Sequence, residues 1–383
     1  MQSLRAGALC VALMMAGTAK AVPRYELEAV APLNVPGAVL ENIGAFNDQG
    51  QFAGRWRLQG RGAGSTLFLY TPGVGYETLM PPGLPAQTGG DFGVNDINRR
   101  GEVAALVNGH AYVLRAGGTG YLVPNTGNRY SGALGINDSG QVVGFREDPG
   151  GYRAFMYSPQ DGFATLPFRN SLAEGINNAG QVLVDDGGSD RTNYWIHDLV
   201  TGGSTRIPTL AGLDASPTSR INDRGDVALT VGPGDASRAM VFRDGVMSAI
   251  NGLAGTIDDE VLDFNNLGQV LGRSILSHGG ELSWDPFVYR PGEGSFRLES
   301  LIDPADLAGW NWIAPSRMND RGDIVGYGQQ GNALVPFMLR AIGAPVPEPA
   351  VSLLLLAGLG GVAVARRRPP PKRPFDSRCV AEA

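Results

Sequence analysis

The sequence predicts an all-β fold, a β-propeller of about seven four-stranded blades, on three observations. One short phrase recurs seven times: "FNDQGQFAGRW", "DINRRGEVAAL", "GINDSGQVVGF", "GINNAGQVLVD", "RINDRGDVALT", "FNNLGQVLGRS" and "MNDRGDIVGYG". Between the copies runs a second rhythm, an aromatic strand, a Pro/Gly turn and another strand, as in "YRAFMYSPQDGFATLPF". The last copy runs out one strand short, and a matching strand stands at the other end of the chain.

The recurring phrase is the first hairpin of each unit. Its Asn falls at positions 47, 98, 137, 177, 222, 265 and 319, with Gly three residues later in every copy. Asn side chains bond nearby backbone in tight turns, and Gly supplies the positive φ that such a turn requires. Ile136 before the turn and Val142–Val143 after it are strand formers. The phrase therefore reads as strand, Gly-ended loop, strand.

The aromatic–turn–strand segment adds a second hairpin. Four short strands in about 45 residues is the period of a propeller blade. The final unit offers the strand "LVPFMLRAI" and no fourth. "YELEAVAPL" (25–33) resembles "YETLMPPGL" (76–84) and is expected to complete that blade, which would close the ring and leave no open sheet edge. An open solenoid would lack this complement.

The 383 residues include 56 Gly, about twice the usual share of roughly 7%, which suits many short strands rather than long helices. Residues 22–349 hold 23 cations, all Arg, against 35 acidic residues, a net charge of −12. A nucleic-acid ligand needs a basic footprint, so DNA or RNA partners are not expected. Cys10 and Cys379 are the two cysteines, one near each end, and the middle has no disulfide framework.

The two ends read as addresses. "MQSLRAGALCVALMMAGTAKAVPR" has Arg5, an apolar run and small residues at Ala19 and Ala21, the pattern of a signal peptide cut between Ala21 and Val22. At the other end Ala350 to Ala365 is uncharged and mostly apolar, closed by Arg366, Arg367 and Arg368. As a helix this segment would be roughly 24 Å long, a little short of the bilayer core, with the arginines snorkelling on the cytoplasmic side. The domain reading is therefore a signal peptide at 1–21, the repeat domain at 22–340, a linker at 341–349, a transmembrane sorting helix at 350–365 and a basic tail at 366–383.

Val346-Pro347-Glu348-Pro349, then a short apolar helix, then Arg366–Arg368, resembles the PEP-CTERM sorting signal of Gram-negative exopolysaccharide producers. The resemblance implies a passage through the inner membrane, processing by an exosortase-like enzyme, and an ectodomain at the cell surface or in the extracellular or biofilm matrix. The family usually ends soon after its arginines, whereas this chain continues for 15 residues. The middle resembles extracellular HAF-type repeats, with His110-Ala111-Tyr112 as the nearest copy and Arg153-Ala154-Phe155 a variant. That resemblance implies no reaction.

No catalytic set stands out. His110, His197 and His278 occupy unrelated places in their repeats, and no nucleophile elbow, zinc-protease or phosphate-loop motif occurs. Two acidic runs, Asp185, Asp186 and Asp190 and then Asp258, Asp259, Glu260 and Asp263, have oxygens to offer a cation but lack the spacing of a calcium loop. No cofactor or metal site is expected. Five tryptophans, Trp56, Trp195, Trp284, Trp310 and Trp312, are the hint of a sugar-binding surface. The expectation is a non-enzymatic binding or structural ectodomain, possible partners being exopolysaccharide and other surface components. The alternative is a propeller glycoside hydrolase or lyase, whose mark would be a desolvated carboxylate pair in the central channel.

Overall fold

The structure is a computed structural model. It describes residues 24–343 except positions 34, 59–64, 82–83, 85–90, 125, 127–128, 188–192, 209–219, 233–235 and 279–280. Contacts divide the chain into a unit ending at Gly343 and a second unit, Ala344–Ala383, which lies outside the described residues. The predicted signal peptide, PEP motif and sorting helix all fall outside them too. Among the described residues no helix is long and apolar enough to cross a membrane.

In chain order, the first strand is β1 (Arg24–Ala29). The first blade follows as β2 (Ala38–Phe46), β3 (Phe52–Leu58), β4 (Ser65–Thr71) and β5 (Gly75–Thr78). The second is β6 (Phe92–Ile97), β7 (Val103–Val107), β8 (His110–Arg115) and β9 (Thr119–Leu122). The third is β10 (Ser131–Ile136), β11 (Val142–Asp148), β12 (Gly151–Ser158) and β13 (Gly162–Thr165). The fourth is β14 (Leu172–Ile176), β15 (Gln181–Asp185), β16 (Tyr194–Asp198) and β17 (Ser204–Arg206). The fifth is β18 (Arg220–Ile221), β19 (Val227–Val231), β20 (Arg238–Arg243) and β21 (Val246–Ala249). The sixth is β22 (Thr256–Phe264), β23 (Val270–His278), β24 (Glu281–Arg290) and β25 (Gly294–Arg297). The seventh begins with β26 (Trp310–Met318), β27 (Ile324–Gln330) and β28 (Ala333–Ile342).

Each blade is a four-stranded antiparallel meander, and the seventh has the order β1-β28-β27-β26. The predicted closure holds: β1 pairs antiparallel with β28 from Arg24↔Ile342 to Ala29↔Phe337. It is shorter than the predicted segment 25–33, and β28 runs two residues past the predicted domain end at 340. The two ends of the propeller therefore leave it side by side.

Apolar clusters lie mostly between neighbouring blades, as expected when each sheet buries both faces. One joins Leu271 and Val288 of the sixth blade to Ile313 and Phe337 of the seventh, with Tyr25 of β1 packed among them. Another joins Phe52 and Phe68 of the first blade to Val325 and Met338 of the seventh. The aromatic strand of the repeat has a defined place in this packing. Phe68, Phe155, Phe287 and Phe337 pair in register with Gly54, Gly144, Gly272 and Gly326 on the neighbouring strand. A Cβ on Gly272 would sit 2.3 Å from the Phe287 ring, and one on Gly326 would sit 2.6 Å from Phe337. The glycine at the end of "QVVG" makes room for the aromatic side chain that follows.

Candidate functional site

The seven Asn turns form one ring around the central channel. In every copy the Asn Oδ1 accepts the backbone N–H groups two and four residues on, as Asn137 does from Ser139 and Gln141. Gly140, at φ +80°, closes that turn by donating its N–H to the Asn137 carbonyl. This is the turn chemistry the sequence predicts, and it engages only half of the side chain.

The amide nitrogen does something more. Each Nδ2 reaches the side chain four residues on, Gln51, Glu102, Gln141, Gln181, Asp226, Gln269 or Asp323. It also donates to the backbone carbonyl of the Asn in the next blade, and the chain of bonds goes round the ring. Asn47 bonds Asn98, Asn98 bonds Asn137, Asn137 bonds Asn177 and Asn177 bonds Asn222. Asn222 bonds Asn265, Asn265 bonds Asn319, and Asn319 returns to Asn47 at 3.3 Å. All seven side chains are buried. A side-chain amide offers two donors and two acceptor positions, and here all four are used.

A second belt lies one residue further on. The backbone N–H groups of Arg99, Asp138, Asn178, Asp223, Asn266 and Asp320 each donate to the side-chain oxygen of the corresponding residue in the next blade. At the seam between the first and second blades that residue is Arg99, which has no such oxygen. Its guanidinium instead lies 3.3 Å from Asp48 and 3.4 Å from Asp138.

Two residues before the Asn, the channel wall carries Asp96, Arg220, Asp263 and Arg317. Asp96 accepts N–H bonds from Ile97 in its own blade and Ile136 in the next, and Asp263 does the same with Phe264 and Met318. Arg317 Nε donates to the Gly44 carbonyl across the closing seam at 2.7 Å, and Arg220 lies 3.5 Å from Asp263. Enclosure in the channel pushes the Asp96 carboxyl up to about 6, against the two N–H bonds that favour its charge. Burial, followed by the charge of Arg220, lowers Arg317 to about 10. Burial also raises Asp320 to about 6, with the carboxylates of Asp48 and Asp223 adding to the shift. These groups line a cavity of about 190 Å³ at the Asn-turn end of the channel.

The acidic runs do not converge. Asp259 bonds Ser274 at 2.6 Å, Glu260 pairs with Arg273 at 2.6 Å, and Asp263 takes part in the channel wall. Asp258 is buried, and burial raises its pKa. Asp185 is buried at the end of β15, and Asp190 lies outside the described residues. Among the described residues no group of three acidic, histidine or cysteine side chains is placed to hold a metal ion. His110 begins β8 and His197 lies near the end of β16, with its Nδ1 2.9 Å from Ser204.

The opposite face has a different character. The first strand of each blade runs toward its Asn turn, so the start of that strand and the loop between the second and third strands form the distal face. All five tryptophans fall on this half of their blades: Trp56 late in β3, Trp195 early in β16, Trp284 early in β24, Trp310 and Trp312 at the start of β26. Among the described residues the exposed aromatics are Tyr130, Tyr152, Trp284 and Trp312, and all four lie at this face. The "GWNW" pair divides at a β-bulge. Trp310 packs edge-on against Phe337, while Trp312 stays exposed.

Comparison with known proteins adds a decisive observation at the C-terminus, where residues 345–368 match the family model of the PEP-CTERM protein-sorting motif. This chain carries a PEP-CTERM sorting motif. The match spans Val346, Pro347, Glu348 and Pro349 at its start and Arg366, Arg367 and Arg368 at its end. A PEP-CTERM motif implies processing by an exosortase, a membrane enzyme, and export through the envelope of a Gram-negative bacterium. A comparison with curated proteins finds no match. Among solved structures the chain is similar to a puromycin-hydrolysing peptidase of Mycobacterium tuberculosis, at 12% identity and TM-score 0.53, over 83% of this chain and 54% of that one. It also matches catalytically inactive virginiamycin B lyase of Staphylococcus aureus with quinupristin, at 11% identity and TM-score 0.49, over 83% of this chain and all of that one. The match to the tricorn protease has 16% identity and TM-score 0.41, over 73% of this chain and 31% of that one. The peptidase likeness speaks to the fold alone.

Proposed function

We propose that this protein is exported by a signal peptide cut between Ala21 and Val22, processed by an exosortase at its PEP-CTERM motif, and displayed at the cell surface or in the extracellular matrix. There its propeller is a non-enzymatic binding or structural component built of HAF-type repeats, with exopolysaccharide and other surface polymers as its expected partners. The sorting motif carries this reading. The channel supports its non-enzymatic part: the carboxylates of Asp96 and Asp263 are each spent on two backbone N–H groups that join adjacent blades. A general acid must aim its proton at a substrate.

Cell fractionation tests the address. In a producing host the wild type should yield a shortened surface or released form. Glu348→Ala, or replacement of Arg366, Arg367 and Arg368, should leave an uncleaved form in the inner membrane. A mature surface protein that still carries residues 350–383 overturns the sorting reading. The second reading, a glycoside hydrolase or lyase, is favoured by one observation, the Asp96 carboxyl held near 6 inside the channel. Turnover of the producer's own polymer that disappears in Asp96→Asn, while the variant stays folded, would establish that alternative.

A further inference from the structure

The distal end of the third blade carries three touching aromatic rings beside a carboxylate. Tyr130, just before β10, lies opposite Glu147 of β11, whose N–H donates to the Tyr130 carbonyl at 2.7 Å. Glu147 in turn lies opposite Tyr152 of β12, and Phe145 lies opposite Gly132 and Ala154. Residues directly opposite across a ladder, and residues two apart along a strand, share a face. Tyr130, Phe145, Glu147 and Tyr152 therefore project from one side of this sheet. The Phe145 ring centroid is 5.7 Å from that of Tyr130 and 5.2 Å from that of Tyr152, at interplanar angles of 40° and 76°. Tyr130 is 36% and Tyr152 43% exposed, and Glu147 between them is exposed as well. Its charge is uncompensated: among the described residues no cation pairs with Glu147. The arginines nearby are turned elsewhere. Arg146 lies 5.1 Å from the Phe163 ring centroid, and Arg129 and Arg153 approach Asp148 at 3.6 Å and 3.9 Å. Burial, then the charge of Asp91, then Tyr152, raise the pKa of Tyr130, so a second carboxylate stands near its hydroxyl.

We propose that Tyr130, Phe145, Tyr152 and Glu147 form a binding site for an organic cation, an ammonium group clothed in carbon. This rests on the reading of the propeller as a binding component and names the surface and ligand class. An aromatic face is apolar and carries negative charge density, so it attracts a cation whose charge is spread over carbon. Rings at different inclinations can meet one such group from separate sides. Tyr130 and Tyr152 stand on the two strands that flank Glu147, two strand spacings or about 10 Å apart, which leaves room for one ammonium head above the carboxylate. The packing of Phe145 against both tyrosines sets these rings in advance and lowers the ordering cost of binding. Charge selects the ligand. Residues 22–349 carry a net charge of −12, which draws cations to the surface, and the unpaired Glu147 fixes one at the rings. A neutral ligand would use the rings and leave the carboxylate idle. A bare metal ion would need more oxygen ligands than this face supplies.

Calorimetric titration of the full chain in maltoside detergent tests this with three probes: choline, its uncharged carbon isostere dimethylbutanol, and a glucosamine tetramer. At least one of the two cations should bind, about tenfold or more tighter than the isostere. The tighter of the two tells a small ammonium solute from an ammonium borne on a polymer. Tyr130→Ala and Tyr152→Ala should each weaken affinity by about 2–5-fold, and the two together should remove measurable binding. Glu147→Gln should also cost about 2–5-fold. Tyr130→Phe combined with Tyr152→Phe keeps both rings and should retain most of the affinity, which shows that loss in the alanine variants is not misfolding. The proposal is overturned if neither cation binds, if the isostere binds as tightly as choline, or if the double alanine variant binds as well as the wild type. Those outcomes leave surface display and processing to stand or fall by fractionation.

Discussion

At the scale of single residues, the seven belt asparagines hold the ring together by a capacity that Asp lacks. In Asn137→Asp the two acceptor bonds from Ser139 and Gln141 survive. The donors to Gln141 and to the Asn177 carbonyl are lost, and a carboxylate is pressed against that carbonyl. A buried polar group left without its partner costs about 1–3 kcal/mol, more when charged, so a loss of at least about 2 kcal/mol is expected in urea or thermal unfolding. A change below about 0.5 kcal/mol would show that the turn alone matters. The sequence displays this role in one detail: the position is Asn seven times, while the next residue varies among Asp, Asn and Arg. Turn chemistry tolerates Asp, and the turn reading of the sequence left that invariance unexplained; the donor bond to the next blade accounts for it. The partner of that donor was not legible, because it lies 39 to 54 residues away in the next blade, or 272 at the closing seam. The Gly–Phe pairing was equally hidden, since both residues were visible as repeats but their register was not. Gly272→Ala forces a methyl into the Phe287 ring and should cost about 1–3 kcal/mol in the same assay.

At the scale of elements, the four-strand unit and its closing strand were legible because turn signals punctuate every strand. The bulges were not. Among the described residues the first strand of six blades shifts register shortly before its Asn, as between Ala133 and Gly135 or Pro315 and Arg317. A bulge adds one residue with no fixed side-chain type, so periodicity alone does not mark it. Those bulges lie beside the positions from which Asp96, Asp263 and Arg317 join the seams, which is why this part of the channel wall could not be assembled from sequence. The closing seam is held twice, by the β1–β28 ladder and by the side chains of Arg317, Asn319 and Asp320. Removing residues 24–29 strips the ladder and the buried Tyr25, and exposes the β28 edge. The truncated protein is expected to aggregate on heating and to melt well below the full chain. An unchanged melting temperature in light-scattering-monitored denaturation would mean that the side-chain latch alone closes the ring. Tyr25→Ala isolates the packing part and should cost about 3–5 kcal/mol.

At the scale of the whole molecule, the channel end gathers more negative than positive charge, and the cost of that excess sets how stability depends on pH. Asp96 and Asp320 are both raised to about 6, the first chiefly by burial, the second by burial with Asp48 and Asp223 nearby. A carboxyl whose native pKa lies above its unfolded value of about 4 binds its proton more tightly in the folded state. Its stabilising contribution is complete below about pH 4 and is lost as pH rises through about 6, on the order of 3 kcal/mol for each group. Glu102 acts the other way: burial opposes its charge, but Asn98, Arg115 and Arg100 together lower its pKa. Its contribution is lost only as pH falls below the ordinary carboxylate range, outside the window in which the two aspartates titrate. The melting temperature should therefore fall as pH is raised from about 4.5 to 7, the reverse of ordinary acid denaturation. Asp320→Asn keeps an oxygen for the Asn266 N–H and removes the charge. It should flatten the slope between pH 5 and 7 whatever it does to the absolute melting temperature, and Asp96→Asn combined with it should abolish most of the remainder. A wild-type melting temperature that rises steadily across this window, or a slope unaltered in the double variant, would place the titrating groups elsewhere in the ring.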